Sequence, residues 1–394
     1  MATYTGIGFS QNQNGLKAAQ EAADAAKREL HQERIDIAFV FLTAHYDPQE
    51  VLPVIAEILD HTKIVGSSTY GLILSETMEK RGIGVMAITS DDVIYETSSI
   101  EHLQLQDKRW AGKALAKSSV TDFGQKHRKL FLFFVEGMLE GISGLIDGIK
   151  DQFGTTFPLI GAGSSDDLRF ESSYQIHKEK VLSHGAVGVL LGGRMQFGIS
   201  CQHGWTPLGK PRVIDQIDGH IIKTIGGKKA IQLYEEYFGE EAQTLKAGSF
   251  GQINIRYPLG SYVPDINAYL LRNVVNVLDD GSVVCQDKVN EKSEVHLMIG
   301  NKETCLQATQ KAAQDVKDQL NGEKPDFVLI FESLARYKIM GRAALQELRI
   351  IKDILGNVPL FGMFSYGEIG TLNTTVNRPN SQLQNGSIII LGVK

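Results

Sequence analysis

Three short segments of this 394-residue chain place hydroxyl groups among glycines. They read Lys63-Ile-Val-Gly-Ser-Ser-Thr-Tyr-Gly71, Pro158-Leu-Ile-Gly-Ala-Gly-Ser-Ser-Asp166 and Pro359-Leu-Phe-Gly-Met-Phe-Ser-Tyr-Gly367. With Gly66, Gly161 and Gly362 aligned, Thr69, Ser164 and Ser365 share one column. Glycine permits close backbone approach, and a hydroxyl both donates and accepts hydrogen bonds. Such turns therefore suit the polar end of a small ligand. Tyr70 and Tyr366 add an aromatic wall with a polar tip. Asp166 and Glu368 offer carboxylates to a cationic amine, with Ser164 and Ser165 beside them, and Arg336 offers a bidentate fork to a carboxylate. Hydroxyl, acid and arginine together are what a small zwitterion such as an amino acid requires. The competing reading is structural: Gly-Ser turns often only reverse the chain, and an arginine often caps a helix or faces solvent.

Other chemistries fit less well. A nucleophile elbow needs glycine two residues before and two after the serine; Ser365 follows Met363 at that spacing, and Ser165 precedes Asp167. The chain has no HExxH helix, P-loop or GxGxxG fingerprint. Cys201, Cys285 and Cys305 are scattered and form no CxxC pair, which argues against a disulfide framework or a zinc site. The expectation is a binding protein without catalytic residues or a metal, with a hydrolase as the alternative. His203, in His203-Gly-Trp205, is the histidine considered as a haem or metal ligand, against a default of a buried or rim position.

The turns recur because the elements around them recur. Three apolar runs, Ile35–Leu42, Lys129–Val135 and Asp326–Phe331, are nearly continuous in β-branched and aromatic residues, as in strands covered on both faces. A helical stripe follows each: Val51, Leu52, Ile55, Ile58 and Leu59; then Ile142, Leu145, Ile146, Ile149 and Phe153; then Leu345, Leu348, Ile351 and Leu355. Asp47, Pro48 and Glu50 form a helix start, while Gly154 and Gly356 are stops. Each helix leads into a short strand ending at one of the hydroxyl turns. A further strand comes next, at Gly82–Ile88, Gly185–Leu191 and Gly386–Leu391. Three such units predict mixed α/β sheets with flanking helices and parallel pairs at each crossover, with an αββα stack as one arrangement of them. An Ala-rich helix is expected over Asn14–Gln32, hairpins at Asp218-Gly219 and around Asp279–Gly281, and a helix over Glu303–Leu320. The glycine-rich stretch Gly239–Gly260 separates an N-terminal domain, 1–240 with two units, from a C-terminal domain, 241–394 with one unit plus hairpins.

Composition bounds the partners. A hydrophobic fraction of 42% with 40 glycines and 10 prolines is globular. A net charge of −6 gives no electrostatic warrant for nucleic acid. No apolar run approaches the ~18 residues of a membrane span, and the first ten residues lack a secretory h-region. The expectation is a cytoplasmic protein.

At these turns the sequence resembles the FIST family of prokaryotic sensory proteins, built from paired N-terminal and C-terminal FIST domains. The residues carrying the resemblance are Lys63–Gly71, Gly204-Trp-Thr-Pro-Leu-Gly209 with Ala230-Ile-Gln-Leu-Tyr234, and Pro359–Glu368 followed by Leu372-Asn-Thr374. Their order extends from about Ile35 to Gln382. The resemblance implies a ligand-sensing module for amino acids or similar metabolites, with Asn373 joining the site residues. It implies output through a histidine kinase, a cyclic-dinucleotide enzyme or a chemotaxis protein, and one branch of the family binds haem to sense nitric oxide. Two positions depart from the family pattern. Leu72 stands where a glutamate is common, and Ser333 stands where a cysteine is common.

Overall fold

The computed structural model describes residues 2–247, 252–264, 267–372 and 380–394. All three repeat units form the same nucleus. Strand Ile37–Thr43 runs parallel to Ile64–Thr69 and antiparallel to Ile83–Ser90. Arg128–Glu136 bears that relation to Leu159–Ser164 and Ala186–Gly193, and Phe327–Ser333 bears it to Leu360–Ser365 and Ser387–Val393. Helices Pro48–Ile58, Ile142–Phe153 and Leu345–Leu355 lie in the crossovers that parallel pairing demands. Asp47 caps the first through Gln49 N, and Gly154 and Gly356 end the other two.

The sheets meet on their inner faces. Phe41, Phe134 and Phe331 occupy equivalent register positions, opposite Ser67, Ala162 and Met363. Their rings touch: Phe41 lies 5.4 Å from Phe134, and Phe134 lies 5.5 Å from Phe331, both edge-on. Phe41 also stacks on Phe361 at 5.1 Å. One apolar core thus draws on all three sheets, and the helices cover the outer faces.

Each sheet is completed by another unit's chain. Strand Leu72–Leu74, following the first turn, joins the third sheet against Leu360–Ser365. Tyr174–His177, following the second, joins the first sheet against Ile64–Thr69. Glu368–Gly370, following the third, joins the second sheet against Leu159–Ser164. This cyclic exchange covers strand edges that would otherwise stand open. It also forces the three hydroxyl turns to cross at one place.

The Ala-rich helix runs Gly15–Leu30 and buries Ala18, Ala19, Ala22, Ala23 and Ala26 against the first sheet. A fourth sheet contains both expected hairpins. The first is Trp205–Asp218 with Ile221–Ile225, and the second is Val274–Val277 with Val283–Cys285. Helix Lys302–Gln319 packs beside the third sheet. Strand Thr3–Ser10 and helix Lys108–Phe123 were not anticipated from the sequence pattern. Among the described residues no helix is long and apolar enough to cross a membrane.

Candidate functional site

The crossing turns are stitched together by their own hydroxyls. Ser67 Oγ donates to Ser164 Oγ at 2.7 Å, and Thr69 Oγ1 donates to Phe364 O at 2.9 Å. Ser165 Oγ donates to the same carbonyl at 2.6 Å and accepts from Tyr70 N at 2.9 Å. Backbone bonds add to this, with Gly163 N reaching Gly367 O at 2.7 Å and Tyr366 N reaching Gly163 O at 3.1 Å. Thr69, Ser164 and Ser165 are fully buried. Their hydroxyls hold one turn to the next and form the foundation of the site.

Beside the third turn lies a cavity of about 350 Å³. Ser365 and Tyr366 are in its wall. Met138, Gly141, Leu168 and Phe170 line one side, and Asn273, Val275 and the run Val284–Lys288 line another. Ser333, Leu334 and Ala335, at the end of the strand Phe327–Ser333 and the start of the helix Leu334–Met340, contribute to the remainder. The ring of Phe170 stacks on Tyr366 at 4.7 Å. Leu168 and Phe170 both hold a left-handed backbone, with φ of 72° and 56°. Bulky side chains rarely adopt that conformation, and such strain gathers at functional sites. Asp166 holds the loop in place: it accepts from Phe170 N at 3.2 Å, Glu171 N at 2.9 Å and the Tyr366 hydroxyl. Burial raises the Asp166 carboxyl, but these donors outweigh it and leave the group below its ordinary value.

The opposite wall is tied across the cavity. Gln286 Nε2 donates to Tyr366 O at 2.5 Å and to Gly137 O at 3.3 Å. Its Oε1 accepts from Asn385 Nδ2 at 2.8 Å and from Asn273 Nδ2 at 3.3 Å. Asp287 accepts from Ser143 Oγ, near the start of helix Ile142–Phe153. Burial pushes the Cys285 thiol up to about 12, so it stays protonated.

Of the residues singled out from sequence, Ser365 and Tyr366 line the cavity. Tyr70 packs elsewhere, against Tyr337 and Phe364 with the Lys338 ammonium 4.8 Å above its ring. Asn373 lies outside the described residues. Arg336 and Glu368 are fully buried behind the cavity wall. Arg336 Nη2 donates to Glu347 Oε1 at 2.5 Å and to Thr309 Oγ1 at 2.8 Å, so it is bound to an internal carboxylate through one nitrogen. Glu368 Oε1 accepts from Ser365 Oγ at 2.6 Å, and its Oε2 accepts from Ser387 N at 3.0 Å. Sequence reasoning missed Glu332 and Glu347, which complete this cluster and are also fully buried. The available signal was an acid directly continuing the apolar run Phe327–Phe331. His203 offers no free ring nitrogen for haem: Nε2 bonds Tyr269 O at 2.9 Å, and Nδ1 accepts from Trp205 N at 3.2 Å.

Fold and site together define a repeat-built mixed α/β protein with a cavity lined by residues from both the earlier and the later parts of the chain. Residues 36–228 match the FIST N domain and residues 230–371 match the FIST C domain. The chain belongs to the FIST family. Domains of this family are associated with small-ligand sensing in signal transduction. The chain is 23% identical over 372 residues to the uncharacterized protein Mb0898c of Mycobacterium bovis, covering 93% of this chain and 94% of that protein. It is 24% identical over 371 residues to the uncharacterized protein Rv0628c of Mycobacterium tuberculosis, with the same coverage. A match to the uncharacterized protein MJ1623 of Methanocaldococcus jannaschii, at 24% identity, covers 58% of this chain but less than half, 45%, of that longer relative. Among solved structures, PurLQS from Thermotoga maritima aligns over 100% of this chain and 72% of its own, at 10% identity and a TM-score of 0.24. So low a score supports no shared mechanism.

Proposed function

We propose that this chain is a small-ligand sensor, holding an amino acid or similar metabolite in the cavity between its FIST N and FIST C segments. The observation that carries the reading is the position of the cavity. Met138, Leu168 and Phe170 come from one matched segment, and Asn273, Gln286, Ser365 and Tyr366 come from the other. A ligand seated there touches both halves, and closure around it changes their relation. The volume falls within the roughly 300–1,000 Å³ of small-molecule sites. Lys288 and the acids Glu140 and Asp287 line it with opposite charges, as a zwitterion requires, beside the apolar Met138, Leu168, Phe170 and Leu334. Output passes to a separate partner, such as a histidine kinase, a cyclic-dinucleotide enzyme or a chemotaxis protein.

A thermal-shift screen of amino acids and related metabolites tests the reading. The expected result is a hit whose shift disappears in Tyr366→Ala and in Ala335→Trp, which fills the cavity. A hit that persists in both variants places the ligand elsewhere.

A further inference from the structure

Behind the cavity wall, three carboxyl groups and one guanidinium are sealed from water. Glu332, Glu347, Glu368 and Arg336 are each 0% exposed. With every group ionised the cluster carries a net charge of −2, and burying uncompensated charge is strongly unfavourable. Protons must make up the difference.

The hydrogen bonds show where they sit. Arg336 is joined to Glu347, so that pair is the ionised one. Both Glu332 oxygens lack a hydrogen-bond donor among the described residues, and the nearest guanidinium nitrogen, Arg336 Nε, stands 3.5 Å away. A bare buried carboxylate is untenable; a protonated Glu332 instead supplies a donor to the neighbouring Glu347 carboxylate, whose Oε2 is itself unpartnered. Burial and the Glu347 carboxylate push Glu332 well above the ordinary range.

Glu368 differs, because its surroundings satisfy both of its protonation states. Ionised, it accepts from Ser365 Oγ and Ser387 N. Protonated, it keeps the amide bond and turns its own O–H toward Ser365 Oγ. The Ser365 hydrogen then has a second acceptor waiting, Glu332 O at 3.2 Å. The groups facing Glu368 are Ser365 from Leu360–Ser365, Glu332 from Phe327–Ser333, Ser387 from Ser387–Val393, Cys201 from Phe197–His203 and Arg336 from Leu334–Met340. The strands paired with its own, Leu159–Ser164 and Gln382–Gln384, carry no titratable side chain. Burial keeps the Cys201 thiol protonated, so it adds no charge. Burial raises Glu368 to about 8, against the lowering effect of Ser365, Ser387 N and Arg336.

We propose that this cluster makes the chain a proton sensor: Glu368 takes up and releases one proton, and the Ser365–Gly367 turn at the cavity changes its hydrogen bonding in step. With the proton the cluster is neutral; without it one negative charge is uncompensated. The change reaches both halves. Ser365 and Tyr366 line the cavity, and Glu368 itself pairs with Ala162 in the second sheet.

The test uses the full ligand-free chain, so it is independent of the ligand reading above. Infrared difference spectra between about pH 6 and pH 10 should show loss of one neutral carboxylic-acid band with a midpoint near 8. That band should be missing in Glu368→Gln. In Ser365→Ala, which removes a donor to the ionised form, the midpoint should move upward; this holds even if Glu368→Gln fails to fold. The Gly367 amide, followed by nuclear magnetic resonance, should shift with the same midpoint. Absence of the band, its survival in Glu368→Gln, an unmoved midpoint in Ser365→Ala or a pH-independent Gly367 amide each overturns the proposal.

Discussion

Glu368 shows how a single carboxyl writes itself into the stability curve. Its folded-state value of about 8 lies above the ordinary 4.5, so the folded chain binds this proton more tightly than the unfolded chain does. That stability is fully present below about 4.5 and is lost as the pH rises through about 8. His177 and His203 act oppositely. Burial depresses both to about 4 from 6.5, so they add stability that rises with pH only up to about 6.5. Between about pH 6.5 and 8 these two histidines no longer compensate, and stability is expected to fall. Urea denaturation across that window should find the slope in Glu368→Gln reduced by about 1.4 kcal/mol per pH unit, one proton's worth. Arg336→Met leaves the Glu347 charge buried without a partner, and a loss of about 3–5 kcal/mol is expected at neutral pH. A loss below about 1 kcal/mol would mean that Glu347 does not carry its charge there. Residue types at the turns were legible in the sequence, but their partners were not. In sequence Arg336 reads as a grip for a ligand carboxylate, because its partner Glu347 lies eleven residues away on a helix marked by its apolar stripe.

The elements were legible wherever periodicity was strong. The three strand–helix–strand units stand where the apolar runs placed them, since strands covered on both faces leave near-continuous hydrophobic sequence. The exchange of hairpins was not readable. Leu72–Leu74 and Glu368–Gly370 are three-residue strands, and nothing in so short a run specifies which sheet receives it. The exchange is nevertheless what brings the turns together, and two substitutions probe it. At Gly362 an added Cβ would stand 2.0 Å from Ile330 O, inside the parallel pair that carries the third turn. Gly362→Ala should therefore separate these strands and destabilise the chain far more than the ~1 kcal/mol of a typical substitution. Ser165→Ala removes the hydroxyl linking Phe364 O to Tyr70 N; Phe364 O keeps the bond from Thr69 Oγ1, but Tyr70 N loses its acceptor, at a cost of about 1–3 kcal/mol. Chemical denaturation measures both; wild-type stability in Ser165→Ala would show that the turns do not depend on this link.

At the scale of the whole molecule, the cavity draws its wall from both matched segments. Gln286 reaches from the fourth sheet to the backbone of Tyr366 and Gly137, and Asp287 reaches Ser143 at the start of a helix in the other half. On the proposed reading, a ligand beneath this strap would meet the groups that tie these segments together, which would give occupancy a route to a change of shape. The sequence reading assigns the third turn to such a site, and the structure puts Ser365 and Tyr366 of that turn in the cavity wall. It did not show the strap, because Cys285-Gln-Asp-Lys288 has no periodicity or motif and acquires its role only through folding. The most direct test is calorimetric titration of the strongest metabolite from the thermal-shift screen into wild-type chain and Ala335→Trp. One-to-one binding by the wild type and none by a folded Ala335→Trp is the predicted outcome. Equal affinity in both would contradict the account.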